Sequence, residues 1–543
     1  MLLWFLPLGS YRLFNPDEGR YAEIPREMVA SADWVTPRLN ALKYFEKPPL
    51  QYWTTAVAYE LFGQREWTAR LWVALTGFLG VLLTGWIGVR LYGATAGVLA
   101  ALVQAGALLY LGLARISTLD MGLTVTLELA LVGLLLLVQR GRTDRGVRTG
   151  ALLLALGVAL AFLSKGLVGV LIPSAVATLY ILLRRDWSLL WRARPWWTLS
   201  ALALIAAPWV YLVSIRNPGF MQFFFVHEHF ARFLSRVHQR YQPIWFFIPV
   251  LLLGFMPWTP LLPTIVRRSW RAGREGSGAS LLLLIWVLFG FSFFSVSQSK
   301  LVPYILPLFP ALALLAGPTL AEIEPRRLAR ALLISGAIWA ALSGAVLFVW
   351  HSPVLRVRLD IAEGWAAPGM AAAFIVAGVL TAAAAFVAWR GAEVPRATAG
   401  AAKGGALPAT ALAALGSLAL IGLLLPAADQ LPRQRHLMNL INAAAAQLHT
   451  ETKIYCVDDY EQSVPFYLRR PCTLVGYRGE LEFGLTQEPT RGLADLPAFA
   501  ARWRLETDAL ALIRTESFAA LRQMGLPMRV IYTAPSLVAV VKP

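Results

Sequence analysis

From residue 67 onward the chain repeats one pattern: an apolar run long enough to cross a bilayer, then a short polar turn. Hydrocarbon offers no partner to backbone N–H and C=O groups, so about 20 apolar residues in a row are accommodated only as helix. The runs fall at 67–92, 94–114, 119–138, 149–163, 166–183, 197–213, 244–265, 280–295, 302–320, 332–350, 368–388 and 407–425. Residues 1–8 are apolar but too few for a span, so the first helix is either short or continues upstream. No basic leader or small-residue cleavage motif marks a signal peptide there. With this partial helix the expected number of spans is thirteen.

Basic residues assign the turns to faces. Alternate turns carry Arg90; Arg140, Arg142, Arg145 and Arg148; Arg184, Arg185, Arg192 and Arg194; Arg267, Arg268, Arg271 and Arg274; Arg326, Arg327 and Arg330; and Arg390, Arg396 and Lys403. The intervening short turns hold little beyond Arg115, Lys165 and Lys300. Positive charge stays cytoplasmic, which sends loop 10–66, loop 216–243 and everything after 426 to the opposite side. A net charge of +18 invites nucleic acid, but these arginines are spread over membrane turns, where they meet the headgroups of membrane lipids. With 57% hydrophobic and only 15% charged residues, the chain is a polytopic membrane protein, and nucleic acid is excluded as a partner.

After residue 426 the pattern changes. Short alternating runs predict strands at 453–457, 473–476, 509–514 and 530–541, with helices at 434–449, 461–468, 496–503 and 517–524. The expected architecture is a mainly α membrane domain over 1–426, followed by an extracytoplasmic α/β domain over 427–543. The only cysteines, Cys456 and Cys472, lie in that domain. Outside the cytoplasm their spacing is compatible with a disulfide and equally with two thiols, since sequence does not give the Cα separation.

The polar residues outside this domain gather on the non-cytoplasmic side: Asp17 and Glu18, Tyr44, Glu46 and Lys47, Arg115, Asp120, Lys165, the His227-Glu228-His229 cluster, Arg232, Arg240 and Lys300. Any one of them alone reads as a charge snorkelling to the interface. Asp17 and Glu18 also read as acids in the first turn of a helix opened by Asn15-Pro16. Their convergence from separate loops is what an extracytoplasmic site needs. Arg20, Lys47, Lys165, Arg240 and Lys300 suit a polyanion arriving from the lipid, since Arg forks onto phosphate and Lys acts as a point charge. Glu46 with His227 or His229 is a candidate pair of ligands for a divalent cation, zinc by ligand chemistry, although residues two apart on a helix diverge.

The motifs PDEGRYAEIPREM, YFEKPPLQYW, STLD at 117–120, SKG at 164–166, EHFARF at 228–233, HQR at 238–240 and SKLVPYIL at 299–306 resemble the aminoarabinose transferases that modify lipid A. These are membrane glycosyltransferases of the GT-C fold. The resemblance implies about thirteen spans, a long first loop with helices lying on the membrane, and a C-terminal α/β domain. It implies a donor, 4-amino-4-deoxy-L-arabinose on undecaprenyl phosphate, and lipid A phosphate as acceptor, with no nucleotide. By similarity Asp17, Asp120 and Lys47 are the catalytic positions. Arg20, Tyr21, Tyr44, Lys165 and Tyr304 match positions around the donor phosphate and sugar, joined by Arg240 and Lys300. Glu46 and a histidine at 227 or 229 resemble a metal site. The expectation is a monomeric enzyme of the bacterial inner membrane whose product confers polymyxin resistance. Three alternatives stay open: transfer of another polyprenyl-phosphate sugar, a flippase for polyprenyl-linked sugars, or a non-catalytic lipid-binding or assembly protein. A transporter places charge near the midplane, whereas these charges sit at one face.

Overall fold

The computed structural model describes residues 2–139, 143–231, 241–358, 367–391, 405–477 and 479–543. Side chains of 227, 229–231 and 356–358 lie outside that description. Among the described residues, nine helices are long and apolar enough to cross a membrane, and one further pair is broken by a bend of 109°. Two shorter apolar helices, Ala94–Gly106 and Val168–Arg184, accompany them. The chain is a multi-pass membrane protein.

Two expected spans are not single straight helices. The run at 94–114 stops at Ala107, whose backbone is extended, and resumes as Leu108–Leu113. The run at 244–265 turns sharply after Gly254, where Pro257 and Pro260 lack the N–H that a continuing helix needs. The second arm, Leu262–Arg274, departs from the first at 109° and carries the arginines of that turn.

The helix Leu119–Val138 is the axis of the bundle and is almost entirely buried. It runs antiparallel to Asp144–Lys165, so Asp120 at the start of one meets Lys165 at the end of the other. Gly133 allows this close packing: a Cβ there would stand 2.5 Å from the backbone nitrogen of Leu154.

The first loop is built of two helices, Asp17–Ser31 and Leu50–Phe62, with a small antiparallel hairpin of Arg38–Leu39 and Leu42–Lys43 between them. After Ala428 the helix Pro432–Ala445 leads into a six-stranded sheet. Lys453–Val457 lies between Thr473–Val475 and Ala509–Arg514, all parallel, and Gly492–Leu493 extends one edge. The run expected as one strand at 530–541 is instead a hairpin, Arg529–Thr533 and Leu537–Val541, turning at Pro535-Ser536. Cys456 and Cys472 are joined in a disulfide with Cα atoms 5.9 Å apart.

The first loop and the sheet share one core. Ile24, Met28, Leu42, Tyr44 and Tyr52 pack with Leu437, Ile441, Cys456, Leu474 and Leu512. Docking is close enough that a Cβ on Gly19 would lie 2.5 Å from both the backbone nitrogen and the hydroxyl of Ser463. Asn40 exchanges two hydrogen bonds of 2.7 Å with the backbone of Cys472.

Candidate active site

The adjacent carboxylates Asp17 and Glu18 have opposite environments. Both open the helix Asp17–Ser31, but successive helical residues point about 100° apart, so only one can face the interior. Glu18 is fully buried against Arg70, which is itself fully buried. Its oxygens also accept from the backbone N–H of Ser117 at 2.8 Å and of Phe14 at 2.9 Å. Arg70 donates its remaining hydrogens to the carbonyls of Leu8, Tyr11 and Arg12. Glu18 therefore ties the first loop to the turn that carries Asp120. Asp17 keeps a half-exposed side chain whose ion-pair partner is Arg20, at 3.5 Å.

Asp120, just after the turn that Glu18 holds, lines a cavity of about 600 Å³ with a polar end and an apolar arm. The polar end is lined by Glu46, Lys47, Asp120, Lys165, Glu228 and Tyr304. Lys165 Nζ is 2.5 Å from Asp120 Oδ1 and 4.7 Å from the centre of the Tyr304 ring. Lys47 Nζ is 3.0 Å from Glu228 Oε2 and donates to the Glu46 carbonyl at 2.7 Å. The arm runs between the helices Val168–Arg184 and Gly278–Val296 and is lined by Val168, Leu171, Phe293 and Phe294. A site of this kind takes a charged head and a hydrocarbon tail together.

Glu46 also neighbours a second polar cluster, to which loops of the C-terminal region contribute. Arg20 Nη2 meets Glu480 Oε2 at 2.6 Å, and Gln462 donates to the other Glu480 oxygen. Tyr21 and Tyr52 stack with ring centres 6.4 Å apart. Among the described residues the buried hydroxyls of Tyr44 and Tyr52 have no hydrogen-bond partner. An unpaired buried hydroxyl costs about 1–3 kcal/mol, so two in one cluster are suited to a polar ligand. Burial first, and then the Glu46 carboxylate, pushes the Tyr44 phenol well above its ordinary value, which leaves it a donor at neutral pH. The Tyr21 phenol is raised by burial and feels Arg20, Asp17, Glu46 and Asp120 together. Both ends of the first loop therefore meet at one place.

Other expected residues stand elsewhere or cannot be placed. Lys300 turns its ammonium onto the carbonyls of Ser297, at 2.6 Å, and Gln242, at 2.8 Å, and so holds the wall of the cavity together. Arg115 donates to the Leu3 carbonyl and closes the first helix. Arg232 and Arg240 lie outside the described residues, as do the side chains of His227 and His229. Among the described residues no three His, Cys, Asp or Glu side chains form a metal-binding group. The carboxylates near Lys47 are those of Glu46 and Glu228, and Glu228 already faces the lysine, so the described residues alone do not fit a cation.

Sequence reasoning passed over three participants. Arg70 was legible as a charge inside an apolar run, which requires a buried partner. Tyr52 and Glu480 carried no signal, since each matters only through neighbours remote in sequence.

A helical membrane bundle with cationic and acidic groups gathered at one end, and an apolar arm leading from them, suits an enzyme that handles a lipid-linked anion, and its relatives make it a membrane glycosyltransferase of the GT-C type. The comparisons with known proteins agree. The family model described as dolichyl-phosphate-mannose-protein mannosyltransferase matches residues 46–212, and the one described as aminoarabinose transferase C-terminal domain matches 440–542. An archaeal oligosaccharyltransferase from Archaeoglobus fulgidus shares the fold alone, with a TM-score of 0.50 at 12% identity, over 96% of this chain and 70% of that one. The crystal structure of ArnT from Cupriavidus metallidurans bound to undecaprenyl phosphate matches with a TM-score of 0.90 at 35% identity, over 99% of this chain and 96% of that one. An arabinosyl transferase of Aeromonas salmonicida is 36% identical over 68% of this chain and 70% of its own length. One from Pseudomonas aeruginosa is 31% identical over 97% and 93%. The chain belongs to the undecaprenyl phosphate-α-4-amino-4-deoxy-L-arabinose arabinosyl transferase family.

Proposed function

We propose that this enzyme transfers 4-amino-4-deoxy-L-arabinose from undecaprenyl phosphate to a phosphate of lipid A, at the periplasmic face of the bacterial inner membrane. The observation that carries the reading is the joined shape of the cavity. Lys47 and Lys165 stand where an apolar arm begins, as a polyprenyl phosphate requires. The relative from Cupriavidus metallidurans was crystallised with undecaprenyl phosphate, which supports the same ligand class. The sugar would occupy the cluster of Tyr21, Tyr44 and Tyr52, where two buried hydroxyls have no partner among the described residues and the Glu480 carboxylate, held by Arg20 and Gln462, sets negative charge near its ammonium.

In the reaction an oxygen of the acceptor phosphate attacks the anomeric carbon. The bond from that carbon to the donor phosphate oxygen breaks, and undecaprenyl phosphate leaves with both electrons. A phosphate is already anionic at neutral pH, so no strong general base is required. Asp17 stabilises positive charge developing at the anomeric carbon, and Asp120 holds Lys165 toward the leaving group. Lys47, Lys165 and Arg20 balance its growing negative charge. Masking a lipid A phosphate with an ammonium lowers the attraction of the envelope for cationic peptides, which gives polymyxin resistance.

Residues 1–426 form the membrane domain and 427–543 a periplasmic domain that closes the sugar site, in a monomer. A divalent cation would need Glu46 with an imidazole of His227 or His229, and no step above passes through it. Elemental analysis of the purified protein decides that point: a stoichiometric metal that Glu46→Ala removes supports it, and metal-free active protein refutes it. The function as a whole is tested by mass spectrometry of lipid A from cells with and without an active copy. A gain fitting aminoarabinose is expected. A gain fitting another sugar would favour a related donor, and no gain would overturn the proposal.

A further inference from the structure

At the end of the bundle opposite the reaction site lies a second cleft, of about 680 Å³, between the bent arm Leu262–Arg274 and the turn after Glu322. The helix Gly278–Val296 starts beside it and ends next to Ser297 of the catalytic cavity. At 1.5 Å per residue, that helix separates the two sites by roughly 30 Å, a membrane thickness. The cleft is polar, and one stripe of the arm faces it: Thr264, Arg267, Arg268, Arg271 and Glu275 recur at three- and four-residue steps.

The charges are unevenly matched. Arg268 pairs with Glu322 at 2.7 Å, and Arg327 pairs with Glu324 at 3.4 Å. Arg267 and Arg271, one helical turn apart, have no ion pair among the described residues, against the single carboxylate of Glu275. On the same arm Val266 and Trp270 are about half exposed, as suits a helix lying at the hydrocarbon boundary. The 109° bend that the break at Pro257 imposes is what lays the arm across the bundle.

The geometry points to a phospholipid site: we propose that Arg267 and Arg271 bind the phosphate of an anionic phospholipid of the phosphatidylglycerol class, in the leaflet opposite the catalytic cavity. Guanidinium forks complement the phosphodiester, the surplus positive charge selects an anionic headgroup over a zwitterionic one, and Trp270 and Val266 meet the acyl chains. The site would anchor the arm, and through it the start of the helix Gly278–Val296, independently of which sugar the enzyme transfers.

Native mass spectrometry of the purified full-length protein, incubated with phosphatidylglycerol, phosphatidylethanolamine or phosphatidylcholine, tests this. Preferential retention of phosphatidylglycerol is expected, and the R267Q/R271Q protein should lose roughly thirtyfold in affinity for the two charges. An equal removal of charge from the same membrane face, R145Q/R148Q, should keep the wild-type affinity, and the single variant R271Q should fall between. Wild-type retention by R267Q/R271Q would overturn the proposal, as would an equal loss in R145Q/R148Q or equal binding of the zwitterionic lipids. Displacement of the lipid by millimolar inorganic phosphate would assign the cleft to a free anion and also overturn it.

Discussion

Glu18 and Arg70 meet through two hydrogen bonds of 2.8 Å, with both side chains completely removed from solvent. Glu18 is adjacent in sequence to Asp17 yet does a different job. It fixes the backbone from which Asp17 and Asp120 project, whereas Asp17 remains half exposed beside Arg20.

Substitution should separate the two roles. Glu18→Gln leaves the Arg70 guanidinium buried without its counter-charge, at a cost of about 3–5 kcal/mol. Asp17→Asn should unfold like the wild type while transfer falls by about a hundredfold or more. Thermal unfolding in detergent and transfer from a labelled lipid donor measure both. The assignment fails if Asp17→Asn unfolds early or transfers at nearly the normal rate.

Lys165 bears on donor affinity. Its ammonium lies between the Asp120 carboxylate and the face of Tyr304, at the mouth of the apolar arm. Lys165→Ala should weaken undecaprenyl phosphate binding by roughly tenfold, the scale of one charge-assisted hydrogen bond. Lys300→Ala should act instead on stability, because its ammonium is held by backbone carbonyls. Titration with the lipid phosphate distinguishes the two, and an unchanged affinity in Lys165→Ala would count against the site.

Gly19 tests the docking of the sheet. Gly19→Ala places a methyl where the Ser463 backbone already stands, and the strain is about 1–3 kcal/mol. The same displacement should pull Glu480 from Arg20, so transfer falls along with stability. A variant with wild-type stability and rate would show that the interface yields freely.

Acidity should reveal Glu27. Burial first, and then the neighbouring Glu23, pushes its carboxyl well above the ordinary range, although Ala41 donates its backbone N–H to it. The folded protein thus holds that proton more tightly than the unfolded chain. Its contribution to stability is fully present below the unfolded value, near pH 4, and is lost as pH rises toward the folded one. Glu27→Gln should flatten this decline in a series of thermal unfolding curves. An identical slope in the variant would assign the decline to other groups.

The disulfide closes a loop between residues 16 apart, for which chain entropy predicts about 3 kcal/mol. Cys456→Ser should lower the unfolding temperature of the C-terminal sheet accordingly. Equal stability of the reduced and oxidised wild type would refute the estimate.

The sequence alone determined the membrane architecture. An apolar run such as 119–138 has one low-energy solution in hydrocarbon, a helix, and that is a local property. The strands 453–457 and 509–514 were legible for the same reason, through their short apolar runs. The hairpin at 529–541 was legible too, because Pro535-Ser536 interrupts the apolar run, but reading the run as one strand passed over that turn signal. Composition and spacing did not tell Asp17 from Glu18, which only the family resemblance separated, nor Lys165 from Lys300: each pair has the same chemistry at nearly the same depth. What divides them is which partner lies within 3 Å, and Arg70, Asp120 and the Ser297 carbonyl are brought there by helices that meet only in the folded bundle. The tertiary structure alone decided that residue 480 reaches Arg20, because a contact across 460 positions leaves no trace in local pattern.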